Sequence, residues 1–396
     1  MEVLPLTLPR MLEVFLSCWI TFLALLVCWR LILPIKFPLK FKLFLSAVYV
    51  LWVTASVYTG WFTGGNALNP RLTRLPQQVI CAGYFSALFI VFFLVLRGLI
   101  NLLWKLLRRS RHALLLSPSS RTVFVAVFCA AAGLGAFGVK GGFAEPETVV
   151  MDFTLPKLPA EAESFKIAVL ADLHICQSAT AEELQKIVAR TNALKPDLIV
   201  IVGDFVDDSI SELDPLTSTL AALNAPHGIF AVSGNHEFYA GYAPWLSYFE
   251  KQGVRFLENR SVVVKSAEGR PLFNLAGVMD VEGAAHFNLP GPQPEQALQE
   301  IDPLLPVVYL THRPGALPAE GRQPELVFAG HTHGGCAPLI RQVVALANRG
   351  MVSGLYEHEG SSVLVTNGTR LWAGFCLRIL TPPQLILARL HVPASS

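Results

Sequence analysis

The chain has 396 residues, of which 53% are hydrophobic and only 15% are charged. Soluble domains carry roughly 25% charged residues, so this composition excludes a purely soluble chain and indicates that part of it lies in lipid. The formal net charge of +2 says little by itself, and nothing in the composition indicates a general nucleic-acid-binding surface. The seven cysteines show no Cys-x-x-Cys spacing of the kind that zinc and redox sites use.

Four long apolar runs occupy the first part of the chain. Each approaches or exceeds the ~18 apolar residues that a bilayer crossing requires. The last run is the shortest and is rich in alanine and glycine, which suit close packing between helices. The pattern predicts an all-α transmembrane region of about four helices within residues 1–144, approximately at residues 12–33, 43–62, 79–100 and 122–139.

Basic residues are distributed unevenly among the segments that join these runs. They gather between the first and second runs (Lys36, Lys40 and Lys42, with Arg30 at the membrane edge) and between the third and fourth (Lys105, Arg108, Arg109, Arg111 and Arg121, with Arg97 near the edge). Lys and Arg accumulate in cytoplasmic loops. Four crossings therefore predict a multi-pass inner or plasma membrane protein with everything after the fourth run on the periplasmic or extracytoplasmic side. If the fourth run does not cross, that part lies in the cytoplasm.

A polar, proline-bearing stretch follows the membrane region. We predict a linker at residues 145–164 and a second domain at residues 165–396. In that domain, short apolar runs end abruptly in Asp, Asn or His, as in "FKIAVLADLH", "LIVIVGDFVDD", "IFAVSGNHE", "PVVYLTHRP" and "ELVFAGHTHGG". Near-continuous apolar strands predict a sheet covered on both faces. A helix is predicted after Thr180, its N-cap, with Glu183 at the capping-box position.

The strand ends deliver oxygen and imidazole donors repeatedly. The candidate residues are Asp172, His174, Asp204, Asn235, His236, His312, His331 and His333. A mixture of hard oxygen and imidazole suits manganese, iron or zinc better than calcium or copper. This set is too large for one tetrahedral ion and fits two ions that share a carboxylate.

The motifs "DLH", "GDFVDD", "GNHE", "THRP" and "GHTHGG" resemble those of the calcineurin-like metallophosphoesterase family over roughly residues 165–392. The tail "LYEHEGSSVLVTNGTRLWAGFCLRILTPPQLILARL" is similar to the family branch with an N-terminal membrane anchor. That branch includes cell-envelope phosphodiesterases and UDP-2,3-diacylglucosamine pyrophosphatases. The resemblance implies an α/β fold, a β-sandwich flanked by helices.

The resemblance also implies roles for individual residues. Asp172, His174 and His333 would hold one divalent ion, Asn235, His312 and His331 would hold the other, and Asp204 would bridge them. Hydroxide held between the two ions would attack phosphorus, and His236 would protonate the leaving group. Manganese is the expected metal, with iron or zinc as alternatives. Asp207 and Asp208 are expected to support the ligands or their loop rather than to bind metal.

Several other residues near the motifs have open roles. Arg313 and Arg370 are candidate substrate-binding residues, because guanidinium groups bind phosphate. Glu237 is expected to be a structural acid. Cys336 stands where similar proteins often carry glutamine; it could approach Cys176, although two free thiols are favoured over a disulfide.

These features predict a membrane-anchored, dinuclear metal-dependent phosphoesterase. It would hydrolyse a phosphodiester or pyrophosphate bond, with a lipid-linked or cell-envelope substrate and membrane lipids as its partners and no specific nucleic acid. A narrower alternative is the UDP-2,3-diacylglucosamine pyrophosphatase of lipid A synthesis. An alternative of another class is a non-catalytic membrane receptor or scaffold with a relic phosphoesterase domain. The oligomeric state and the substrate itself stay open.

Overall fold

The chain forms two compact units in the computed structural model, which describes residues 8–65, 69–108, 116 and 120–394. The first unit comprises the described residues up to Gly141 together with the short segment Ala373–Leu377. The second comprises Gly142–Trp372 and the described residues from Arg378 onward.

The first unit is helical. Its α-helices are α1 (Leu8–Val27), α2 (Leu39–Val53), α3 (Ala55–Thr63), α4 (Arg74–Arg108) and α5 (Arg121–Gly142), and Cys28–Ile32 continue α1 as a π-helix. A helix satisfies its backbone hydrogen bonds internally, which a segment in hydrocarbon must do. The longest helix, α4, packs against α1, α2 and α3.

Three helical stretches among the described residues are long and apolar enough to cross a bilayer, namely Val14–Ile32, Arg74–Leu107 and Arg121–Gly142. They correspond to the first, third and fourth apolar runs, so the run that looked weakest in the sequence has the length of a span. The prediction of a helical membrane region is confirmed, with three candidate spans among the described residues. The basic residues Arg109 and Arg111 lie outside the described residues.

The second apolar run differs from the expected single helix. It forms α2 and α3, because the backbone at Thr54 (φ −89°, ψ 6°) leaves the helical conformation. The Thr54 hydroxyl donates to the carbonyl oxygen of Val50 at 2.7 Å, a local bond that bends helices. Neither helix alone contains the ~18 residues that a crossing requires.

The small residues of α5 allow it to approach α4 closely. A Cβ atom at Gly135 would lie 3.1 Å from the carbonyl oxygen of Ala82 and 3.1 Å from the backbone nitrogen of Ser86. This contact agrees with the expected role of glycine and alanine in that run.

The second unit contains two six-stranded sheets. Its strands are β1 (Glu147–Thr154), β2 (Phe165–Leu170), β3 (Leu198–Val202), β4 (Ile229–Val232), β5 (Val254–Phe256), β6 (Arg260–Lys265), β7 (Pro271–Gly277), β8 (Val307–Leu310), β9 (Leu326–Ala329), β10 (Gly354–His358), β11 (Ser361–Val365) and β12 (Gln384–His391). The strand orders are β1-β12-β2-β3-β4-β5 and β10-β11-β9-β8-β7-β6. The predicted sandwich is thereby confirmed.

The core lies between the sheets and beneath flanking helices. Val169 and Phe230 of the first sheet share one buried cluster with Phe273 and Phe328 of the second. Every residue of β3 is buried, as expected for a strand covered on both faces. The helices are α6 (Ala181–Ala193), α7 (Ile210–Thr217), α8 (Asn235–Ala240), α9 (Tyr242–Lys251), α10 (Glu282–His286), α11 (Pro294–Ala297) and α12 (Pro338–Ala347).

The predicted N-cap of α6 is confirmed. The hydroxyl oxygen of Thr180 accepts a hydrogen bond from the backbone nitrogen of Glu183 at 3.2 Å. The Glu183 carboxylate has a different partner from the one that a capping box would give it, since Oε1 lies 3.4 Å from Nε of Arg370. The start of α6 is therefore tied to a residue far along the chain.

The stretch 145–164, expected to be a linker, contains β1. This strand pairs in parallel with β12 over its whole length, from Glu147 opposite Gln384 to Thr154 opposite His391. Nε and Nη2 of Arg389 each donate to a carboxylate oxygen of Asp152 at 2.7 Å. The stretch thus contributes an edge strand to the first sheet.

Candidate metal centre

The candidate site residues follow five strands. Because β2, β3 and β4 run parallel in one sheet, and β8 and β9 run parallel in the other, the loops at their carboxyl ends gather at common edges. The loops carry Asp172 and His174 after β2, Asp204 after β3, Asn235 and His236 after β4, His312 after β8, and His331 and His333 after β9.

Backbone strain is concentrated in these loops. Five of the residues have positive φ angles between 39° and 69°: Asp172, His174, Asp204, His331 and His333. Such conformations cost about 1–3 kcal/mol each and persist only where their surroundings impose them. The fit is close, since a Cβ atom at Gly234 would lie 2.2 Å from Oδ1 of Asp204. The loops therefore hold their side chains in fixed directions.

The first group of donors consists of Asp172, His174 and His333, whose ligand atoms lie within 4.8 Å of one another. Nε2 of His174 is 3.3 Å from Nε2 of His333. Nε2 of His333 is in turn 3.9 Å from Oδ1 of Asp172. The backbone nitrogen of His331 donates to the same Asp172 oxygen at 3.0 Å, which orients that carboxylate.

The second group consists of Asp204, His312 and His331. Nε2 of His312 lies 3.1 Å from Oδ2 of Asp204 and 3.2 Å from Nδ1 of His331. Oδ1 of Asn235 is 3.2 Å from the same His312 nitrogen. The structure thus brings together the residues that the sequence assigned to the second ion.

Asp204 stands between the two groups. Its Oδ2 lies 3.1 Å from Nε2 of His312 and 3.6 Å from Nε2 of His174. One carboxylate oxygen therefore faces donors of both groups, which is the geometry that a bridging ligand requires.

The hydrogen bonds of the imidazoles fit a pair of cations. Nδ1 of His312 lies 2.9 Å from the carbonyl oxygen of Val202, which can only accept, so Nδ1 carries the proton. Nδ1 of His174 likewise lies 2.7 Å from Oδ1 of Asp207. In the neutral imidazoles, both Nε2 atoms then present lone pairs toward other acceptors. A divalent cation between them resolves this arrangement, and the donor set suits manganese, iron or zinc.

Burial and charge keep two of the imidazoles in the neutral form that metal binding needs, whereas burial opposes the ionisation of one carboxyl group. Burial, followed by the neighbouring His312, lowers the pKa of His331 well below its usual value, and burial with His174 does the same for His333. Both rings are therefore neutral, as ligands must be. Burial raises the pKa of Asp172, an ionisation penalty that a bound cation would offset.

Asp207 connects a candidate ligand with the candidate acid. Its Oδ1 lies 2.7 Å from Nδ1 of His174 and 2.8 Å from Nδ1 of His236. Burial opposes the charge on His236, but Asp204 and Asp207 outweigh it and raise the pKa of His236 to about 9. Asp207 thus acts on both histidines, a specific role that the sequence indicated only by its place three residues after Asp204.

Two aromatic rings flank His236. The ring of Tyr239 lies 5.5 Å from the imidazole and that of Trp372 lies 5.8 Å from it, centroid to centroid. Sequence reasoning missed both residues. Tyr239 offered a weak signal, because it lies one helical turn after His236, whereas Trp372 is distant in the chain and carried none.

Glu237 is the structural acid that the sequence predicted. Its carboxylate accepts hydrogen bonds from the backbone nitrogens of Gly234 at 2.7 Å, Asp204 at 3.0 Å and Phe205 at 2.7 Å. It joins the loops after β3 and β4, so that Asp204 and Asn235 are held in register.

The two candidate substrate-binding arginines occupy different environments. The side chain of Arg313 is 29% exposed, and its Nε donates to Oδ2 of Asp280 at 2.9 Å. Arg370 is buried, and its Nη1 donates to the carbonyl oxygens of Leu173 at 2.9 Å and His174 at 2.7 Å. Arg313 can therefore face a ligand as it stands, while Arg370 braces the loop that carries His174.

Cys176 and Cys336 are both buried free thiols. Sγ of Cys176 lies 3.1 Å from Oγ of Ser178. The favoured expectation of two free thiols agrees with this arrangement.

Comparison with known proteins supports the motif assignment. The family model described as calcineurin-like phosphoesterase matches residues 165–335, the stretch that contains every candidate metal residue.

Relatives extend the similarity into the membrane region. The chain is 31% identical over 316 residues to a zebrafish (Danio rerio) protein named "Transmembrane protein with metallophosphoesterase domain", covering 77% of this chain and 71% of the relative. It is 31% identical over 256 residues to an uncharacterized metallophosphoesterase of Helicobacter pylori, covering 64% of this chain and 66% of the relative. It is 26% identical over 290 residues to the UDP-2,3-diacylglucosamine pyrophosphatase LpxG of Chlamydia muridarum, covering 60% of this chain and 87% of the relative.

Proposed function

Because the chain belongs to the calcineurin-like metallophosphoesterase family, we propose that it hydrolyses a phosphodiester or pyrophosphate bond of a lipid-linked or cell-envelope substrate. Family membership makes it a metal-dependent phosphoester hydrolase. One observation carries the proposal: Oδ2 of Asp204 faces both donor groups. A non-catalytic receptor or scaffold would not need this shared carboxylate.

We assign the ion ligands as follows. Asp172, His174 and His333 would hold one divalent ion, Asn235, His312 and His331 would hold the other, and Asp204 would contribute to both. Two such ions, when bound, lower the pKa of a water molecule and stabilise charge on the phosphoryl oxygens. Manganese is the proposed metal, with iron and zinc as alternatives that the same donors accept.

His236 is the proposed proton donor. Its Nδ1 is engaged by Asp207 at 2.8 Å, which leaves the opposite nitrogen, Nε2, for the leaving-group oxygen. A raised pKa keeps the ring protonated near neutral pH, so a proton is available when the bond to phosphorus breaks. Tyr239 and Trp372 flank the same ring.

Arg313 is the proposed contact to a substrate phosphate. It follows His312 directly, is partly exposed and is oriented by Asp280. Arg313→Lys would keep the charge but lose the planar fork, so we expect a higher KM with a smaller change in kcat. The predicted contact between Arg370 and substrate stays a prediction, and the buried position of Arg370 favours a positioning role.

Three candidate membrane helices support a lipid-linked substrate. Helices that hold the site at a bilayer raise the local concentration of any substrate within it. A lipid-extract screen tests this: full-length protein in proteoliposomes should release phosphorylated fragments from a total lipid extract in the presence of Mn²⁺. Asp204→Asn protein provides the inactive control. Hydrolysis of bis-p-nitrophenyl phosphate with none of the lipid extract would contradict the lipid assignment and leave the phosphoesterase assignment intact.

The relationship to LpxG favours one narrower candidate, UDP-2,3-diacylglucosamine as substrate, which is made on the cytoplasmic side and therefore requires the second unit to lie there. Hydrolysis of its pyrophosphate bond would release UMP. The test is a direct assay with that compound beside a lipid phosphodiester, and a failure to release UMP would dismiss this candidate alone.

We propose that the second unit lies on the periplasmic or extracytoplasmic side. The basic segment around residues 105–121 directly precedes α5, and such segments stay in the cytoplasm. If α5 crosses, the second unit emerges on the opposite side, whether or not α2 and α3 together form a crossing. Alkaline phosphatase fused after Ser396 should be active and green fluorescent protein dark, and the reverse pattern would refute this orientation.

A further inference from the structure

Three large apolar side chains stand exposed beside the loop that carries His331 and His333. Val343 and Leu346 on α12 are 66% and 88% exposed, and Leu380 is 82% exposed. Apolar side chains that gather at a surface mark an interaction site. These three residues are called the apolar surface below.

The chain brings the three residues to one region. Val343 and Leu346 are three positions apart on a helix and share a face. The backbone nitrogen of Ile379 donates to the carbonyl oxygen of Cys336 at 2.8 Å, and the Thr381 hydroxyl donates to the same oxygen at 2.9 Å. Leu380 therefore lies beside the start of α12, and the helix rises only about 12 Å from Pro338 to Leu346.

The apolar surface is joined to the metal loop on both sides. Nη1 of Arg341, on α12, lies 3.4 Å from the carbonyl oxygen of Gly334. Nη1 of Arg378, two residues before Leu380, donates to the carbonyl oxygen of His333 at 3.2 Å. Whatever covers the apolar surface therefore lies next to the backbone of a candidate metal ligand.

Charge and chain path identify the occupant. Residues 334–353 contain Arg341 and Arg349 and no acidic residue, and a mixture of basic and apolar side chains is typical of helices that bind anionic lipid at the headgroup layer. Ala373–Leu377 belongs to the unit that contains the candidate spans, and Leu380 follows only three residues later. This short connection along the chain favours the bilayer as the occupant.

We propose that the apolar surface rests on the bilayer itself, with Val343, Leu346 and Leu380 in the headgroup layer. This goes beyond the proposed function, since it concerns how the metal loop is presented to the membrane and not which bond is broken. A lipid substrate would then reach the site without leaving the bilayer.

Site-directed spin labelling tests the proposal on the full-length chain. Cys18 and Cys129, the exposed cysteines among the described residues, are replaced by serine, and a nitroxide is attached at Leu346→Cys. Leu304→Cys is the matched control, because Leu304 is also an exposed leucine of the second unit, 77% exposed. Power-saturation measurements in proteoliposomes of phosphatidylethanolamine and phosphatidylglycerol compare access of oxygen, which partitions into lipid, with access of a water-soluble nickel complex.

We expect the ratio of oxygen access to nickel access to be several-fold higher at residue 346 than at residue 304. Equal ratios at the two positions would overturn the proposal. It would also be overturned if the label at residue 346 were exposed to water in these vesicles and became protected only when another protein was added. Hydrolysis of bis-p-nitrophenyl phosphate should be unchanged in both variants, which shows that the labelled proteins are folded. A failure of that hydrolysis in the unlabelled chain would instead count against the proposed function.

Discussion

Nδ1 of His236 lies 2.8 Å from Oδ1 of Asp207, and neither side chain binds a metal ion in the proposed scheme. Asp207 fixes the orientation of the ring and favours its protonated form. Asp207→Asn should therefore slow hydrolysis of substrates with poor leaving groups by roughly 10²–10⁴-fold, the range of general acid catalysis. Steady-state rates with a series of leaving groups measure this effect.

The loss should shrink when the leaving group is p-nitrophenolate, which departs without a proton. Asp208→Asn is the matched control, since Asp208 is the neighbouring acid and accepts a hydrogen bond from Nε2 of Gln177 at 3.1 Å. An equal loss for every leaving group would remove His236 and Asp207 from proton transfer.

Asp204→Asn should lower the occupancy of both ions. The substitution removes the one anionic oxygen that faces both donor groups, while an amide keeps the size of the side chain. We expect sub-stoichiometric metal by elemental analysis and activity near background. Normal metal content with normal turnover in this variant is incompatible with a dinuclear centre.

Arg370→Met should destabilise the second unit. Arg370 is 5% exposed, pairs with Glu183 and donates to two carbonyl oxygens of the loop after β2. Removing one partner of a buried ion pair costs about 3–5 kcal/mol, because the remaining charge is left unpaired. The free energy of unfolding measured in denaturant and the metal content should both decline.

The double variant Arg370→Met with Glu183→Gln should recover part of the lost stability, because it removes the stranded carboxylate. A purely additive loss would show that the two side chains do not stabilise each other.

The pairing of β1 with β12 should depend on pH. Hydrogen bonds to Glu163 and Asp152 raise the pKa of His391, and Arg389 lowers the pKa of Asp152 to about 2. The protonated His391 side chain stabilises the fold fully at pH values below about 6.5, the pKa of histidine in an unfolded chain. This stabilisation is lost as the pH rises through the higher pKa of His391 in the folded chain. The ionised Asp152 carboxylate stabilises the fold fully at pH values above about 4, the pKa of aspartate in an unfolded chain. This stabilisation is lost as the pH falls through the lower pKa of Asp152 in the folded chain.

Both contributions are present together between about pH 4.5 and 6.5. His391→Asn should therefore lose most stability in that window and progressively less toward alkaline pH, as measured by thermal unfolding of wild type and variant in matched buffers. If the variant were less stable than wild type by the same amount at every pH, the imidazolium charge would have no part in the pairing.

The sequence predicted where the candidate site residues lie relative to the strands more closely than it predicted the bounds of the membrane helices. Each metal candidate follows an apolar strand directly, so local pattern and motif spacing were enough to locate Asp172 or His331. The interruption at Thr54 depends on one hydroxyl bonding to Val50, and hydropathy does not register such a bond.

Long-range partners explain the remaining differences. β1 looks like a polar linker because the strand that completes it, β12, lies more than two hundred residues away. Arg370 is similar: its buried contacts are with Leu173, His174 and Glu183, and no spacing rule connects these positions. Residues whose role is set by a distant partner carry no local signal in the sequence.

The position of β12 has a consequence for biosynthesis. In the first sheet, this late strand is inserted between β1 and β2, two of the earliest strands of the unit. A nascent chain that has left the ribosome only as far as residue 380 would have an open slot at that place, with the backbone groups of both neighbours unpaired. The sheet can close only after translation has passed His391, so we expect a ribosome-stalled intermediate shortened before β12 to be sensitive to proteases and dependent on chaperones.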